Sequence, residues 1–364
     1  MMARATSRPR KARSSGKRSS RAKGAAKSAR TAKVKTKARI EKPKESRQQL
    51  LGLYEGMLLI RRFEEKAGQL YGQGKVAGFC HLYIGQEAVA VGMQASIEAK
   101  DSVVTSYRDH GHMLARGADP KGMMAELTGR GGGTSRGKGG SMHMFSKEKN
   151  FYGGHGIVAA GVPIAVGLAF AHRYREDGGV SLTYYGDGAA NQGQVFESFN
   201  MAALWKLPVV FVIENNHYGM GTSVSRASAS PDFFRRGEPF GIPGHKVDGM
   251  DVCAVKEAGA AAVAYCRAGK GPQILQMETY RYRGHSMSDP ARYRTRDEVQ
   301  KVRQERDPID HLSDLLFEHS LASAEDLKKI DIDVKQRVTE AAEFAVTDPE
   351  PDPRELYTDV LAEA

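Results

Sequence analysis

The chain has 364 residues, 40% of them hydrophobic, which is enough to bury the core of one large domain or two small ones. No stretch approaches the ~18 consecutive apolar residues that a membrane-spanning helix requires, and the N-terminus lacks the apolar centre of a secretory signal peptide. The three cysteines are an odd number without Cys-x-x-Cys spacing. This pattern argues against a disulfide framework and favours a reducing compartment.

The formal net charge of +11 comes from the N-terminus. Residues 1–40 contain 15 Lys and Arg and no acidic residue, so the rest of the chain has 39 basic and 43 acidic residues. Residues 1–46 almost lack large apolar side chains. They are predicted to be a disordered basic tail, because so little apolar surface cannot offset the entropy of ordering it. Residues 47–364 are then expected to form a single domain.

Three uses of the tail are open: a nucleic-acid-binding arm, an organelle transit peptide, and a tether to an acidic partner. No Leu, Phe or Trp precedes Leu50, so the apolar helix face typical of a transit peptide is missing. The lack of aromatic residues for base stacking argues against nucleic acid as a partner. We expect a bacterial cytoplasm, with the mitochondrial matrix as the alternative.

The ordered region is expected to begin with an amphipathic helix over Gln48–Tyr71, in which apolar side chains recur every three or four residues. Gly72-Gln73-Gly74 ends this helix. Glycine becomes frequent between Gly111 and Gly161, which predicts long loops close to something that they bind. A polar loop over Arg281–Arg296 is expected to be mobile, and Glu298–Ala364 should be mostly helical.

Between these segments, helices alternate with short apolar strands, which predicts an α/β fold with a mostly parallel sheet flanked by helices. The predicted helices are Val162–Tyr174, Asn191–Trp205 and Val252–Ala268, and the predicted strands are Val180–Tyr185, Pro208–Ile213 and Gln273–Thr279.

Asp187 follows the first strand of a βαβ unit, and Asn216 follows the second. Because a right-handed crossover makes these strands parallel, both residues are expected at the edge of the sheet where ligands bind. A carboxylate and an amide oxygen form the kind of site that Mg²⁺ accepts when phosphates and water complete an octahedron. The flanking Gly186 and Gly188 let the backbone approach a phosphate. The sequence therefore predicts a magnesium and diphosphate site here.

Another glycine-rich segment, Gly132–Lys138, fits the Gly-x4-Gly-Lys pattern of a nucleotide-triphosphate loop. The next residue is Gly139, where such a loop needs Ser or Thr to coordinate Mg²⁺, and no short apolar strand precedes it. No Gly-x-Gly-x-x-Gly occurs, so a nicotinamide-binding domain has no support either.

Gly186-Asp187-Gly188, followed about thirty residues later by Asn215-Asn216, resembles the motif of thiamine-diphosphate-binding proteins. Further segments resemble the alpha subunit of pyruvate dehydrogenase, and the likeness extends from about Arg47 to the C-terminus. These segments are Gly78–His81, Gly85–Ala88, Tyr107-Arg108, Arg136–Met144, Gly186–Gly221 and Tyr280–Pro290. The resemblance implies a thiamine-diphosphate-binding fold.

The resemblance also implies roles for individual residues. Asp187, the side chain of Asn216 and the backbone carbonyl of Tyr218 would bind Mg²⁺. The backbone at Gly188 and Ala189 would pack against the diphosphate of the cofactor. Gly219 is also expected in the cofactor site.

His81 would bind pyruvate, and His285 would contact the diphosphate or assist reductive acetylation. Tyr107 and Arg108 would touch the pyrimidine and the diphosphate. Two further positions, Gly156 and Val158, would line the aminopyrimidine. Without the resemblance, the two histidines read as surface residues, and Tyr107 with Arg108 as a stacked pair at a strand end.

The implied activity is thiamine-diphosphate-dependent oxidative decarboxylation of pyruvate, with transfer of the acetyl group to a lipoyl arm of an acyltransferase core. This family needs a glutamate at the pyrimidine ring from a second domain. Single-chain enzymes that hold both domains are longer than this chain, so we infer a separate beta subunit in a heterotetramer of two alpha and two beta chains. The alternative is the alpha subunit of a branched-chain 2-oxo-acid or acetoin dehydrogenase, although His285–Pro290 looks more like pyruvate enzymes.

Ser286 and Ser223 resemble regulatory phosphorylation sites of mitochondrial enzymes. Asp289–Tyr293 lacks the extra serine that those enzymes carry before the tyrosine. This difference argues against kinase control and for an ordinary polar loop.

Overall fold

A computed structural model describes residues 43–361, which belong to one compact unit. The tail predicted over residues 1–46 lies outside the described residues as far as position 42. Helix α1 (Arg47–Gly72) begins with a capping box. The Ser46 hydroxyl accepts from the Gln49 N–H, and the Gln49 side chain accepts from the Ser46 N–H. These bonds satisfy two N–H groups at the start of the helix.

Helices and strands alternate along most of the described chain. The α-helices after α1 are α2 (Glu87–Gln94), α3 (His110–Ala115), α4 (Pro120–Leu127), α5 (Gly161–Arg175), α6 (Gly193–Leu204), α7 (Val224–Ala227), α8 (Val252–Arg267), α9 (Arg296–Arg306), α10 (Pro308–Glu318) and α11 (Ala324–Thr347). The strands are β1 (Ser102–Ser106), β2 (Phe151–His155), β3 (Ser181–Gly186), β4 (Val209–Asn215), β5 (Tyr218–Gly219), β6 (Thr222–Ser223), β7 (Gly244–Asp248) and β8 (Gln273–Glu278).

Six strands form one sheet in the order β2-β1-β3-β4-β8-β7, and every neighbouring pair is parallel. Strands β5 and β6 form a separate short antiparallel hairpin. The chain passes from β1 to β2 on one side of the sheet and from β3 to β4 on the other, so the strand order reverses between β1 and β3, next to the carboxyl end of β3. Such a reversal is where open α/β sheets bind ligands.

The sheet separates two apolar layers. Along β4, Val210 and Val212 join the layer formed with α1, α2 and α8, whereas Phe211 and Ile213 join the layer formed with α5 and α6. Successive side chains of a strand point to opposite faces, so a strand that is apolar at every position is buried on both sides. This arrangement explains the uninterrupted apolar run that predicted the strand.

The predicted α/β fold with a parallel sheet is confirmed. All six helices and strands predicted between Val162 and Thr279 occur, with bounds that differ by a few residues. Helix α1 matches the predicted first helix, and α9 to α11 supply the predicted helical C-terminal region. The segment from Thr279 to Thr295 has no helix or strand, as expected for a loop, but Arg281 within it is only 2% exposed.

The prediction of long loops between Gly111 and Gly161 is wrong in part. This region contains most of α3, all of α4 and strand β2. β2 includes Gly153 and Gly154, which have weak strand propensity, and its pairing with β1 stabilises it. Among the described residues, no helix has the length and apolar character needed to cross a membrane.

Candidate active site

The two residues predicted to share a ligand, Asp187 and Asn216, follow neighbouring parallel strands. The strand register pairs Gly186 with Glu214. Asp187 comes one residue after Gly186, just past the end of β3, and Asn216 comes two residues after Glu214, just past the end of β4. Both line a cavity of about 180 Å³ at the carboxyl ends of the strands. The structure therefore brings together the two side chains that the sequence analysis placed at one edge.

Asp187 is only 3% exposed. Burial raises its pKa to about 6, although backbone N–H groups and the guanidinium of Arg281 act in the opposite direction. A buried carboxylate whose charge is so incompletely compensated is suited to a bound cation, which would favour its ionised form.

Asn216 turns its side-chain oxygen toward Arg281. Its Nδ2 donates to Gln86 Oε1 at 2.9 Å, which fixes the orientation of the amide. Arg281 Nη1 lies 3.5 Å from Asn216 Oδ1 and 3.2 Å from the carbonyl oxygen of Tyr218. The two neutral oxygens thus face a common positive group. A divalent cation at this position would use the same oxygens together with Asp187.

The oxygen set differs from a cluster of ionisable ligands. Within residues 43–361, no group of three or more His, Cys, Asp or Glu side chains could hold a metal. The set here has one carboxylate, one side-chain amide and one backbone carbonyl. Such hard oxygen ligands suit Mg²⁺ when phosphate oxygens and water supply the remaining positions.

Two glycines form the wall beside these oxygens. A Cβ built on Gly188 would lie 3.3 Å from the Gly219 Cα, and one on Gly219 would lie 3.8 Å from Asp187 Oδ2. The backbones after β3 and in the β5–β6 hairpin therefore approach as closely as side-chain-free residues allow. Gly188, Ala189 and Gly219 all line the cavity, so a diphosphate there would meet backbone.

A larger cavity of about 670 Å³ contains the predicted catalytic histidines. The His81 and His285 rings are 5.1 Å apart between centroids, and His81 lies 4.5 Å from the Tyr107 ring. Both cavities are lined by Tyr107, Val158, Met220 and His285. The predicted diphosphate and substrate residues therefore belong to adjoining spaces.

Both histidines are neutral at physiological pH. Burial and the charge of Arg108 lower the pKa of His81 to about 2 and that of His285 to about 4. The Nδ1 atoms of both are buried without a hydrogen-bond partner. Two neutral imidazoles with unused polar atoms can donate to or accept from a small polar substrate.

Arg108 is almost fully buried and its guanidinium binds two backbone carbonyls, that of Leu82 at 2.6 Å and that of His285 at 2.8 Å. Burial lowers its pKa to about 10. Arg108 lines the smaller cavity and also links the chain segments that carry His81 and His285. Of the remaining predicted residues, Gly156 lines only the larger cavity, and Val158 lines both.

Three residues that the sequence analysis did not single out shape the site. Gln86 orients Asn216, Arg281 faces the candidate metal ligands, and Glu214 lines the smaller cavity. Glu214 accepts a hydrogen bond from the Tyr83 hydroxyl and lies 3.1 Å from His112 Nε2. All three residues lie in segments that resemble the pyruvate dehydrogenase alpha subunit, namely Gly85–Ala88, Gly186–Gly221 and Tyr280–Pro290. This location is the only sequence signal that could have identified them.

The two candidate phosphorylation sites differ in accessibility. Ser286 is 8% exposed, lines the larger cavity, and its hydroxyl lies 2.9 Å from that of Ser288. Ser223 lies in β6 and is partly exposed, and its hydroxyl lies 3.0 Å from that of Ser225. The expectation of an ordinary polar loop without kinase control stays a prediction.

The Gly-x4-Gly-Lys segment has the wrong surroundings for a nucleotide loop. Helix α4 precedes it rather than a strand, and the Lys138 ammonium pairs with Glu355 at 3.0 Å and Asp359 at 2.8 Å. The rejection of this alternative on sequence grounds agrees with the structure.

Comparison with known proteins identifies the family. Residues 55–354 match the family model described as the dehydrogenase E1 component. The chain is 66% identical over 316 residues to the pyruvate dehydrogenase E1 component subunit alpha of Rhizobium meliloti (strain 1021), covering 87% of this chain and 91% of the relative. It is 62% identical to the corresponding protein of Zymomonas mobilis, with 86% and 89% covered, and 55% identical to the mitochondrial somatic form of Homo sapiens, with 85% and 79% covered. The chain belongs to the dehydrogenase E1 component family.

Proposed function

We propose that this chain is the alpha subunit of a pyruvate dehydrogenase, which decarboxylates pyruvate oxidatively with thiamine diphosphate and Mg²⁺ and acetylates the lipoyl group of an acyltransferase core. The observation that carries the proposal is the convergence of Asp187, Asn216 and Tyr218 on one cavity at the carboxyl ends of β3 and β4. The names of the relatives, which specify pyruvate, support this substrate over a branched-chain 2-oxo acid or acetoin.

In this proposal Mg²⁺ is held by the Asp187 carboxylate, the Asn216 side-chain oxygen and the Tyr218 carbonyl. Gly188, Ala189 and Gly219 present backbone to the diphosphate, and Gly156 with Val158 lines the space for the aminopyrimidine. When bound, thiamine diphosphate supplies a nucleophilic carbon and an electron sink for the loss of CO₂. The residues of this chain bind and orient the reactants around it.

Substrate binding is assigned to the larger cavity. Neutral His81 donates a hydrogen bond to pyruvate from a ring held against Tyr107. The low pKa of His81 keeps its ring uncharged. His285 faces both cavities, which suits contact with the diphosphate or with the lipoyl arm during acetyl transfer. Arg108 supports both histidines through its two carbonyl contacts.

We infer that catalysis requires a glutamate from a separate beta chain. Glu214 is the one glutamate among the described residues that line the two cavities. Its carboxylate already binds Tyr83 and His112, so it is committed within the fold. A second chain that closes the cavities and supplies the glutamate accounts for this, and a heterotetramer of two alpha and two beta chains is the proposed assembly. The proposed location is a bacterial cytoplasm.

The test is reconstitution with the beta chain. The isolated chain should bind Mg²⁺ and the diphosphate weakly and turn over almost nothing, whereas the assembled enzyme should decarboxylate pyruvate and acetylate a lipoyl domain. Rates on pyruvate and 2-oxoisovalerate, measured on the same preparation, separate the substrate classes. High activity of the isolated chain would contradict the need for a partner, and faster turnover of 2-oxoisovalerate would contradict the substrate.

A further inference from the structure

The glycine-rich segment after α4 is organised around one carboxylate. Glu126, in the last turn of α4, is completely buried. One of its oxygens accepts from the N–H groups of Ser135 at 2.7 Å and Gly137 at 2.9 Å. The other accepts from those of Gly139 at 2.7 Å and Gly140 at 3.1 Å. Four backbone donors thus converge on a single side chain.

This geometry is that of an anion-binding nest, in which successive N–H groups point at one negative group. Positive φ values at Arg136 (56°) and Gly137 (76°) turn the backbone so that its N–H groups face inward. A Cβ on Gly133 would lie 2.4 Å from Glu126 Oε2, so glycine is required where the backbone passes the carboxylate. The Gly-x4-Gly-Lys pattern therefore surrounds an anion, but the anion is part of the chain.

The nest leads directly to the candidate active site. Ser141 follows Gly140, is 3% exposed, and its carbonyl and hydroxyl oxygens each lie 2.9 Å from His110 Nε2. The next residue, Met142, lines the larger cavity together with His81 and His285. The segment between Gly139 and Met142 thus joins the nest to the cavity wall within four residues.

The outer face of the same loop is held by weaker contacts. Arg136 and Lys138 pair with Glu355 and Asp359, but all four side chains are partly exposed. Exposed ion pairs contribute little, whereas hydrogen bonds from several N–H groups to a buried carboxylate are strong. The internal carboxylate is therefore the main constraint on the conformation of this loop.

We infer that Glu126 is a positioning residue: its carboxylate fills the nest and thereby holds Ser141 and Met142 at the wall of the substrate cavity. This inference rests on the proposed function for its link to activity. The nest itself does not depend on it.

The experiment uses the enzyme assembled with its beta chain and three variants. Glu126→Gln keeps the shape but turns an NH₂ group toward two N–H donors, and Glu126→Ala removes the two-carbon carboxylate unit. Both should lower kcat/KM for pyruvate by about tenfold or more, because an unpaired buried donor is costly. Glu355→Gln, which alters only the outer face, should change kcat/KM less than about twofold.

Chemical rescue distinguishes a bound anion from general damage. Acetate matches the atoms that Glu126→Ala removes, so it should restore part of the activity in a saturable way and slow backbone hydrogen exchange over residues 130–142. Acetamide, its neutral analogue, should do neither. Equal rescue by both compounds, or wild-type kcat/KM in Glu126→Gln, would overturn the inference.

A measurement on the wild-type enzyme covers the case in which the variants do not fold. The amides of Ser135, Gly137, Gly139 and Gly140 should exchange at least about a hundredfold more slowly than in an unstructured peptide. The first three lie outside any helix or strand, and Gly140 is the first residue of a three-residue 3-10 helix. Exchange at the unstructured rate would overturn the nest. This readout needs no turnover, so it stands apart from any failure of the proposed reaction.

Discussion

Gly188 and Gly219 pack against each other in the wall of the candidate diphosphate site, so closely that a Cβ on Gly219 would lie 3.2 Å from the Gly188 Cα. Neither residue has a positive φ, so the need for glycine here is one of space rather than backbone conformation. The close contact joins the turn after β3 to the β5–β6 hairpin. The two segments thereby form one continuous wall of the cavity.

Gly188→Ala should therefore weaken cofactor binding without unfolding the chain. Overpacking at a tight contact costs about 1–3 kcal/mol, which corresponds to roughly 5- to 150-fold in affinity. Calorimetric titration of thiamine diphosphate into the assembled enzyme measures the change. Gly193→Ala is the control, because a Cβ at Gly193 meets nothing within 4 Å. Unchanged affinity in Gly188→Ala would place the diphosphate elsewhere.

Asp187→Ala should abolish cofactor-dependent activity while the far-ultraviolet circular dichroism stays close to that of the wild type. The reason is that the carboxylate is the one charged member of the proposed oxygen set. Asp248→Ala is a matched control, because Asp248 ends strand β7 but does not line the cavity. Activity with normal cofactor affinity in Asp187→Ala would show that the metal site is misassigned.

Tyr83→Phe should destabilise the protein by about 1–3 kcal/mol, because it deprives the buried Glu214 carboxylate of its hydroxyl donor. Unfolding by urea provides the measurement. Tyr185→Phe is the matched control, since the Tyr185 hydroxyl is buried without a hydrogen-bond partner and its loss should cost almost nothing. Equal losses in the two variants would mean that the Tyr83–Glu214 contact contributes no stability.

His110 gives the fold a pH dependence. Burial opposes its charged form, but the ion pair with Glu64 at 2.9 Å outweighs burial and raises the pKa of His110 to about 9. Because this pKa lies above the unfolded value of 6.5, the ion pair contributes fully to the free energy of unfolding below pH 6.5. The contribution is lost as the pH rises through 9.

The thermal unfolding midpoint of the wild type should therefore fall between pH 7 and 9. Burial raises the pKa of the adjacent Asp109 to about 7. Most of the stability that protonation of Asp109 contributes is therefore already lost at pH 7, the lower end of this range. In His110→Gln the decline should be clearly smaller. A decline of the same size in the variant would assign the pH dependence to other groups.

The part of the site that the sequence predicted depends on local pattern. The apolar strands β3 and β4 are bounded by glycine, proline and polar residues, and the geometry of one βαβ unit is enough to bring Asp187 and Asn216 to the same edge. Strand β2 was missed because Gly153 and Gly154 give it no local signal. Its position depends on pairing with β1.

Long-range contacts account for what the sequence could not predict. Gln86 orients Asn216 from 130 residues away, and Tyr83 binds Glu214 from 131 residues away. No sequence spacing marks either pair, because the contacts form only when the segment Tyr83–Gln86 reaches the end of β4 in the folded chain. The same holds for Glu126, whose role becomes visible only when the loop folds around its carboxylate.

The most direct test is a crystal structure of the assembled enzyme with thiamine diphosphate and Mn²⁺ in place of Mg²⁺, analysed by the anomalous signal of the metal. We expect one strong peak within coordination distance of the Asp187 carboxylate, the Asn216 side-chain oxygen and the Tyr218 carbonyl, in contact with the diphosphate. A peak away from Asp187 and Asn216, or a diphosphate bound without a metal beside them, would contradict the account.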